Sequence, residues 1–144
     1  MIEQDTIKLL RECDAGIKMG VSSIADVLGY AHSEKLRAYL LDNKAAHEEL
    51  DVELQELLDR YEDDGKEPNP MAKGMSWLKT NVMLVVKESD ATIADLITDG
   101  CNMGVKSLSR YLNEYAAADE KSKNVCKRLI KLEEELGVQM RDFL

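Results

Sequence analysis

Residues 16–24 read GIKMGVSSI and residues 100–108 read GCNMGVKSL, so one helical pattern occurs twice in the chain. After a shift of two residues the likeness continues, because residues 33–35 (SEK) correspond to residues 119–121 (DEK). Repeats of this size are units that bury their apolar faces against each other. The repeat therefore predicts two similar helical hairpins that pack into one bundle.

The composition favours the same class of fold. Of the 144 residues, 44% are hydrophobic and 33% are charged, and only 2 are proline. This balance is typical of helices and disfavours both sheet and disorder. The length matches one domain, residues 1–144, with a core that needs neither disulfides nor a metal. We predict an all-α single domain.

Apolar residues spaced alternately three and four apart divide the chain into four helices. The first two form hairpin A/B at residues 5–63, and the last two form hairpin C/D at residues 90–144. Ser33, Ser89 and Asp119 stand where helix caps are expected. The predicted helices cover residues 5–29, 34–63, 90–115 and 120–144.

The connection between the hairpins is long. Its start, DDGKEPNP at residues 63–70, is charged and contains Gly and Pro, so it must leave the helix and cross the surface. The whole crossover covers residues 64–89, and residues 71–87 are apolar enough to form a short extra helix. Such a crossover lets the second hairpin pack antiparallel to the first. Because residues 77–86 are too apolar for a free surface, we predict that they either cap the bundle or form a homodimer contact.

The charge and the cysteines exclude several classes of function. The net charge of -9 repels phosphate backbones and anionic lipid, so neither nucleic acid nor a membrane is an expected partner. The start of the chain lacks the features of a secretory signal, and no apolar run reaches bilayer length, which predicts a cytoplasmic protein. The three cysteines lack CxxC spacing and are expected to be reduced and buried.

Each copy of the repeat contains a Gly-xxx-Gly step, from Gly16 to Gly20 and from Gly100 to Gly104. Two glycines four residues apart leave one face of a helix without side chains. Glycine costs a helix about 1 kcal/mol relative to alanine, so a packing role is its commonest justification. We expect close contact between the first and third helices at these steps, with access for a ligand as the alternative.

The apolar residues spaced three and four apart form a stripe along one face of each helix. Polar residues interrupt these stripes. In an antiparallel hairpin, the numbers of two residues that face each other add up to nearly the same total along its whole length. This rule places Ile17 level with His47 and Cys101 level with Glu133. The repeat aligns residues 47–50 with residues 133–136, so both pairs are expected in one middle layer. The polar stripe residues are Asp14, Asn43, His47, Thr98, Cys101 and Glu133.

The charge of the Glu133 carboxylate has to be neutralised within the middle layer. An ionised carboxylate buried without a partner costs several kcal/mol, so Glu133 must pair, become protonated or bind a cation. We predict a hydrogen-bonded pair of His47 and Glu133. Asn43 or Asp14 would support the pair, and Lys18 or Lys44 would neutralise it from the margin of the stripe.

The repeated hairpins, the mid-helix glycine steps and a crossover carrying Pro68, Gly74 and Trp77 resemble the ferritin-like and rubrerythrin-like superfamily. Within it, the chain resembles a bacterial four-helix-bundle family of undefined function. The resemblance covers nearly the whole chain. It implies an antiparallel ferritin-like four-helix bundle of two repeated helical hairpins, joined by a long crossover with a short extra helix.

Superfamily members with a di-iron centre place one Glu on each of two helices and a Glu-x-x-His step on each of the other two. The resemblance puts the single-Glu positions at Ile17 and Cys101, and the two steps at residues 44–47 and 130–133. Only His47 matches by residue type. The resemblance thus implies a degenerate di-iron site, no expected cofactor and a non-catalytic structural or protein-interaction module.

Two other functions stay open. His47, Cys101 and Glu133 are groups that can bind one divalent ion such as zinc or iron, which would make the chain a metal-binding protein or an oxidoreductase. The wider polar cluster around them comprises Asp14, Asn43, Lys44 and Thr98. A binder of small apolar ligands would need a cavity beside small stripe residues, namely Ala91, Ala94, Gly16 and Gly100.

Overall fold

Long helices form the framework of the protein. The computed structural model describes residues 2–67 and 89–144. In these ranges α1 spans Ile2–Leu28, α2 spans Glu34–Arg60, α3 spans Asp90–Glu114 and α4 spans Glu120–Met140. No strand occurs among the described residues. The all-α class is confirmed for this part of the chain.

Helices α2, α3 and α4 begin directly after the residues predicted to cap them. The side chains of Ser33, Ser89 and Asp119 each accept a hydrogen bond from the backbone N–H three residues further on. These bonds satisfy N–H groups that have no partner within the helix. At the other end of the chain, α4 stops at Met140 rather than at residue 144. A 3-10 turn, Arg141–Phe143, follows and brings Phe143 edge-on to Tyr39.

Helix α2 also ends earlier than predicted, at Arg60 rather than near residue 63. The reason is tertiary, because the following residues turn back over α1. The Asp63 carboxylate accepts hydrogen bonds from Arg11 Nε at 3.1 and 3.0 Å. The Arg11 guanidinium favours the charged carboxylate and lowers the pKa of Asp63 below its usual value.

Residues 63–67, here called the strap, cover a buried carboxylate on α1. Asp14 is fully buried, and its Oδ2 accepts from the backbone N–H of Lys66 at 2.9 Å. Lys18 Nζ contacts the same oxygen at 2.9 Å, and Gln55 Nε2 donates to Oδ1 at 3.0 Å. Gly65 has a φ of 82° and lies against the Asp14 carboxylate. The strap thereby provides part of the hydrogen bonding that a buried carboxylate requires.

Replacing Gly65 by alanine is expected to lower the free energy of unfolding by about 1 kcal/mol. A β-carbon there would collide with the Asp14 carboxylate, and the positive φ disfavours alanine. Gly29→Ala is the matched control, because no described atom lies within 4 Å of its added β-carbon. Urea unfolding of both variants measures the difference, and equal stabilities would show that the strap does not need a glycine.

Contacts at the helix ends establish the directions of the helices. The backbone N–H of Asp119 donates to Thr6 Oγ1 at 2.8 Å, so the α3–α4 turn lies at the start of α1. The N–H groups of His32 and Ser33 donate to the Asp90 carboxylate, so α3 starts beside the α1–α2 turn. Helix α1 is therefore antiparallel to α2 and α3 and parallel to α4. This leaves α2 parallel to α3, as a long crossover requires.

Within residues 2–67 and 89–144, the core consists of two apolar clusters along the bundle. One lies towards the start of α1 and the end of α2, and the other lies towards the α1–α2 turn and the C-terminus. His47 and Glu133 belong to neither cluster. Along α2, His47 lies between Leu40 of one cluster and Leu50 of the other, and along α4, Glu133 lies between Leu129 and Leu136. The first cluster includes Leu9, Leu10, Cys13, Ile17, Leu54, Leu58, Cys126 and Leu129, and the second includes Ile24, Leu36, Leu40, Ile93, Ile97, Leu136 and Met140.

Part of the predicted crossover falls outside the described residues. This applies to the short helix at residues 71–87 and to the apolar segment at residues 77–86. The homodimer contact and the capping of the bundle by that segment both stay predictions. Of the crossover predicted at residues 64–89, only the last part of the strap and Ser89 are described.

Candidate functional site

The two polar residues predicted to meet in the middle layer do so. His47 on α2 is fully buried and Glu133 on α4 is 9% exposed. The distance between His47 Nε2 and Glu133 Oε1 is 3.1 Å, which is hydrogen-bond length. Because α2 and α4 are antiparallel, their stripes bring these residues to the same level. The predicted His47–Glu133 hydrogen bond is confirmed.

Both ring nitrogens of His47 are engaged. His47 Nδ1 lies 2.9 Å from the backbone oxygen of Asn43, and a carbonyl oxygen can only accept, so Nδ1 carries a proton. An imidazolium would also donate from Nε2 to the Glu133 carboxylate. The Asn43 side chain supports the pair by bonding the opposite helix, because its Nδ2 donates to the backbone oxygen of Leu132 at 3.0 Å.

Opposing effects act on the pKa of His47. Burial is the largest and disfavours the charged ring, but the hydrogen bond to Glu133, the Asn43 carbonyl and the charge of Glu133 favour it. Together they raise the pKa of His47 above its usual value. The raised pKa favours the protonated ring, which can donate from Nε2 to Glu133 as well as from Nδ1 to Asn43. The two side chains satisfy each other's hydrogen bonding, which offsets part of the cost of burying both between the apolar clusters.

This pair predicts how stability depends on pH. A group whose folded pKa is raised contributes its full stabilisation below the unfolded pKa and loses it as pH rises through the folded pKa. The contribution of His47 to the free energy of unfolding should therefore be complete below about pH 6.5 and decline as the pH rises through its folded pKa. Urea unfolding at a series of pH values measures the slope. Glu133→Gln should remove most of it, and an unchanged slope in that variant would contradict the assignment to His47.

Two repeat-related glycines enclose the pair. A β-carbon on Gly20 of α1 would lie 2.9 Å from His47 Nε2 and 3.0 Å from its Cδ2. A β-carbon on Gly104 of α3 would lie 3.4 Å from Glu133 Cδ and Oε2. Each is the second glycine of its Gly-xxx-Gly step. All four helices thus contribute to the layer, with α2 and α4 supplying the pair and α1 and α3 the space for it.

The sequence predicts that the glycine steps bring α1 and α3 into close contact, and the structure divides their roles. Gly16 lies against Leu129 of α4 and Leu108 of α3, so it serves helix packing as expected. Gly20 and Gly104 make room for the polar pair. A β-carbon added at Gly100 would have no described atom within 4 Å, so this glycine takes no part in the close packing.

Cys101 on α3 is the third member of the layer. It is 3% exposed and lies beside Glu133. Burial, followed by the charge of Glu133 and a hydrogen bond to it, raises the pKa of the Cys101 thiol far above its usual value. Cys101 is therefore a protonated thiol that donates towards Glu133. A thiol in this state is a poor nucleophile and a poor metal ligand until it loses its proton.

The structure places the other predicted polar residues differently. Asp14 does not support the pair as predicted, because it lies under the strap with Lys18 and Gln55. Lys44 pairs with Glu48 at 2.9 Å rather than neutralising the layer. The Thr98 hydroxyl is buried without a hydrogen-bond partner among the described residues. Of the predicted supports, Asn43 alone contacts the pair directly.

The donor set does not fit a di-iron centre. Ile17 is 2% exposed in the apolar core, and Ile130 packs partly buried against it, so neither position can ligate. Lys44 would repel a cation. Within residues 2–67 and 89–144, no group of three or more His, Cys, Asp or Glu side chains is arranged to hold a metal ion. A site at His47, Cys101 and Glu133 stays a prediction.

The small stripe residues divide between surface and core. Ala91 and Gly100 are exposed, whereas Ala94 is fully buried. Gly16 is covered by Leu129. These positions do not surround one shared space, which weighs against the binding of a small apolar ligand among them.

Comparisons with family models, curated proteins and solved structures find no match for this chain. The resemblance to the ferritin-like superfamily therefore rests on the residues and the repeat alone. As for the membrane, the described part of the chain contains no helix long and apolar enough to cross one.

Proposed function

We propose that the chain is a ferritin-like bundle with a degenerate di-iron site that acts as a non-catalytic structural or protein-interaction module. The observation that carries the proposal is the direct contact of 3.1 Å between His47 and Glu133. It lies at the level where the resemblance expects metal ligands. Two buried groups that hydrogen-bond each other need no bound ion to offset their burial.

The engagement of the imidazole supports this proposal. With Nδ1 bonded to Asn43 and Nε2 bonded to Glu133, His47 has no free nitrogen for a metal. Gly20 and Gly104 pack against the pair, so the space that an ion would need is narrow. The helix directions are those of bundles with one long crossover, which is the ferritin-like connectivity.

A metal-binding function is the alternative, and one observation favours it. Glu133 contacts both His47 and Cys101. A nitrogen, an oxygen and a sulfur atom that can act as metal ligands therefore lie together, each on a different helix. Zinc accepts all three types of donor. Binding would require the His47–Glu133 hydrogen bond to open and the Cys101 thiol to lose its proton.

Metal analysis of the protein purified without chelators separates the two functions. We expect well below one equivalent of zinc or iron, and no change in melting temperature when a chelator is added. One equivalent of metal that is lost in His47→Gln and in Glu133→Gln, but kept in the control Cys126→Ala, would overturn the proposal. Cys126 suits the control because it is a buried cysteine in the apolar core, away from the layer.

The interaction role has its own test. The predicted homodimer contact lies in residues 77–86, outside the described part of the chain. Sedimentation velocity over a wide range of concentrations should show a dimer if this contact forms, and Trp77→Glu should weaken it. A monomer at every concentration would exclude self-association as the role of the module.

A further inference from the structure

Helices α1 and α4 run parallel in a constant register. Thr6 bonds the backbone of Asp119, which is 113 residues later in the chain. Gly16 packs against Leu129 at the same offset, since a β-carbon added to this glycine would lie 3.4 Å from Leu129 Cδ2. Cys13 and Cys126 have this offset too, and they lie between the two contacts. The register therefore places the two cysteines opposite each other.

The thiols of Cys13 and Cys126 are in contact. Both residues are fully buried, with 0% solvent exposure each, and belong to the same apolar cluster. The Cys13 thiol is hydrogen-bonded to Cys126, and this bond, followed by burial, raises the pKa of Cys13 well above its usual value. Cys126 Sγ in turn donates to the Leu108 carbonyl at 3.8 Å. The proposed function uses neither thiol.

We propose that Cys13 and Cys126 are a redox-sensitive pair that a peroxide oxidises to a disulfide joining α1 to α4. A disulfide requires the two β-carbons to face each other at short range, and the common register of α1 and α4 places Cys13 and Cys126 face to face in one buried cluster. The small Gly16, three residues after Cys13, permits that approach at the next turn of the helix. The disulfide would link the two hairpins covalently.

The chemistry balances with a peroxide as the oxidant. One cysteine, as its thiolate, attacks the O–O bond and becomes a sulfenic acid, and the peroxide leaves as water or an alcohol. The second thiol attacks the sulfenic sulfur, the S–S bond forms, and a second water leaves with the remaining proton. Two thiols lose two electrons, and the peroxide gains them. A small-molecule thiol reverses the reaction by exchange.

The burial of the pair determines how it would respond. The raised pKa of Cys13 keeps its thiolate scarce, so oxidation should be slow at neutral pH and faster in alkali. Access also depends on local opening of α1 from α4. The pair would therefore be oxidised by prolonged exposure to a peroxide and not by brief exposure.

The test is to treat the folded chain with hydrogen peroxide and map its disulfides by mass spectrometry without reduction. We expect one intramolecular link between the peptides of Cys13 and Cys126, with the loss of two hydrogen atoms. The melting temperature should rise by about 10 °C and return to its starting value with dithiothreitol. The Cys101→Ala variant should still form the link, whereas Cys126→Ala should not.

Three results would overturn the proposal. The first is a link that includes Cys101 or joins two chains. The second is oxidation of Cys13 to sulfinic or sulfonic acid while Cys126 stays a thiol. The third is no loss of free thiols in the wild-type protein under a large excess of peroxide. The wild-type measurement decides the outcome even if Cys126→Ala fails to fold.

Discussion

Replacing Glu133 by alanine is expected to lower the free energy of unfolding by about 3 kcal/mol. The change removes the carboxylate that bonds His47 at 3.1 Å and leaves a cavity between the helices. His47 is fully buried, so it cannot recover the lost bond from water without opening the bundle. Cys101 loses its neighbouring acceptor as well. Urea or thermal unfolding, followed by circular dichroism, measures the effect.

Glutamine at position 133 is the matched control. It keeps the volume and an oxygen that can accept a hydrogen bond, so we expect Glu133→Gln to cost about 1 kcal/mol or less. The pKa of His47 should then fall, because the carboxylate that favours its protonated form is gone. If both variants were equally unstable, the charge itself would be what the fold needs. If both were as stable as the wild type, the pair would contribute nothing, and its role as the stabilising centre of the layer would be wrong.

Replacing Gly20 by alanine is expected to lower the free energy of unfolding by about 2 kcal/mol, although alanine is the better helix former. The added β-carbon would lie 2.9 Å from His47 Nε2, which is closer than such contacts occur. The ring is bonded on both sides and cannot move without losing a hydrogen bond. Unfolding in urea gives the stability change, and the pKa of His47, followed by NMR, reports any displacement of the ring.

Gly100→Ala provides the comparison within the same repeat. Gly100 is the first glycine of its step on α3, it is exposed, and no described atom lies near its added β-carbon. Alanine there should raise the free energy of unfolding by about 0.5 to 1 kcal/mol through helix propensity alone. A Gly20→Ala protein as stable as Gly100→Ala would show that the layer tolerates the extra methyl group, and that Gly20 is not there to accommodate His47.

The middle layer could be predicted because it depends only on spacing. His47 and Glu133 occupy stripe positions at intervals of three and four, and antiparallel packing puts equivalent stripe positions at one level. The cost of burying an ionised carboxylate then requires a partner for Glu133, and His47 is the nearest candidate. The direct hydrogen bond between them follows from helical periodicity and electrostatics without further information.

The environment of Asp14 could not be predicted in this way. Its partners Gln55 and Lys18 lie on helices, but the decisive donor is the backbone of Lys66 in the strap. The strap has no periodicity, so its path over α1 depends on individual contacts such as Arg11 with Asp63. For the same reason the periodicity predicts the end of α2 about three residues too late. Irregular segments are positioned by tertiary contacts that no local pattern records.

The register of α1 against α4 also could not be predicted from the sequence. The repeat predicts which helices form each hairpin, but parallel helices from different hairpins have no short turn to set their offset. The contacts of Thr6 with Asp119 and of Gly16 with Leu129 set it, and they bring Cys13 to Cys126. In the sequence, these two cysteines are only residues of separate predicted helices that are expected to be buried.

The helices, their caps, the two hairpins and the polar layer of His47 and Glu133 all follow from the amino-acid sequence, because each depends on periodicity along the chain or on the cost of a buried charge. Three other features arise only when the helices pack: which glycines enclose that layer, where Asp14 finds its partners, and which cysteines meet. They depend on the distance and rotation between helices, and these are set by the packing of many side chains at once.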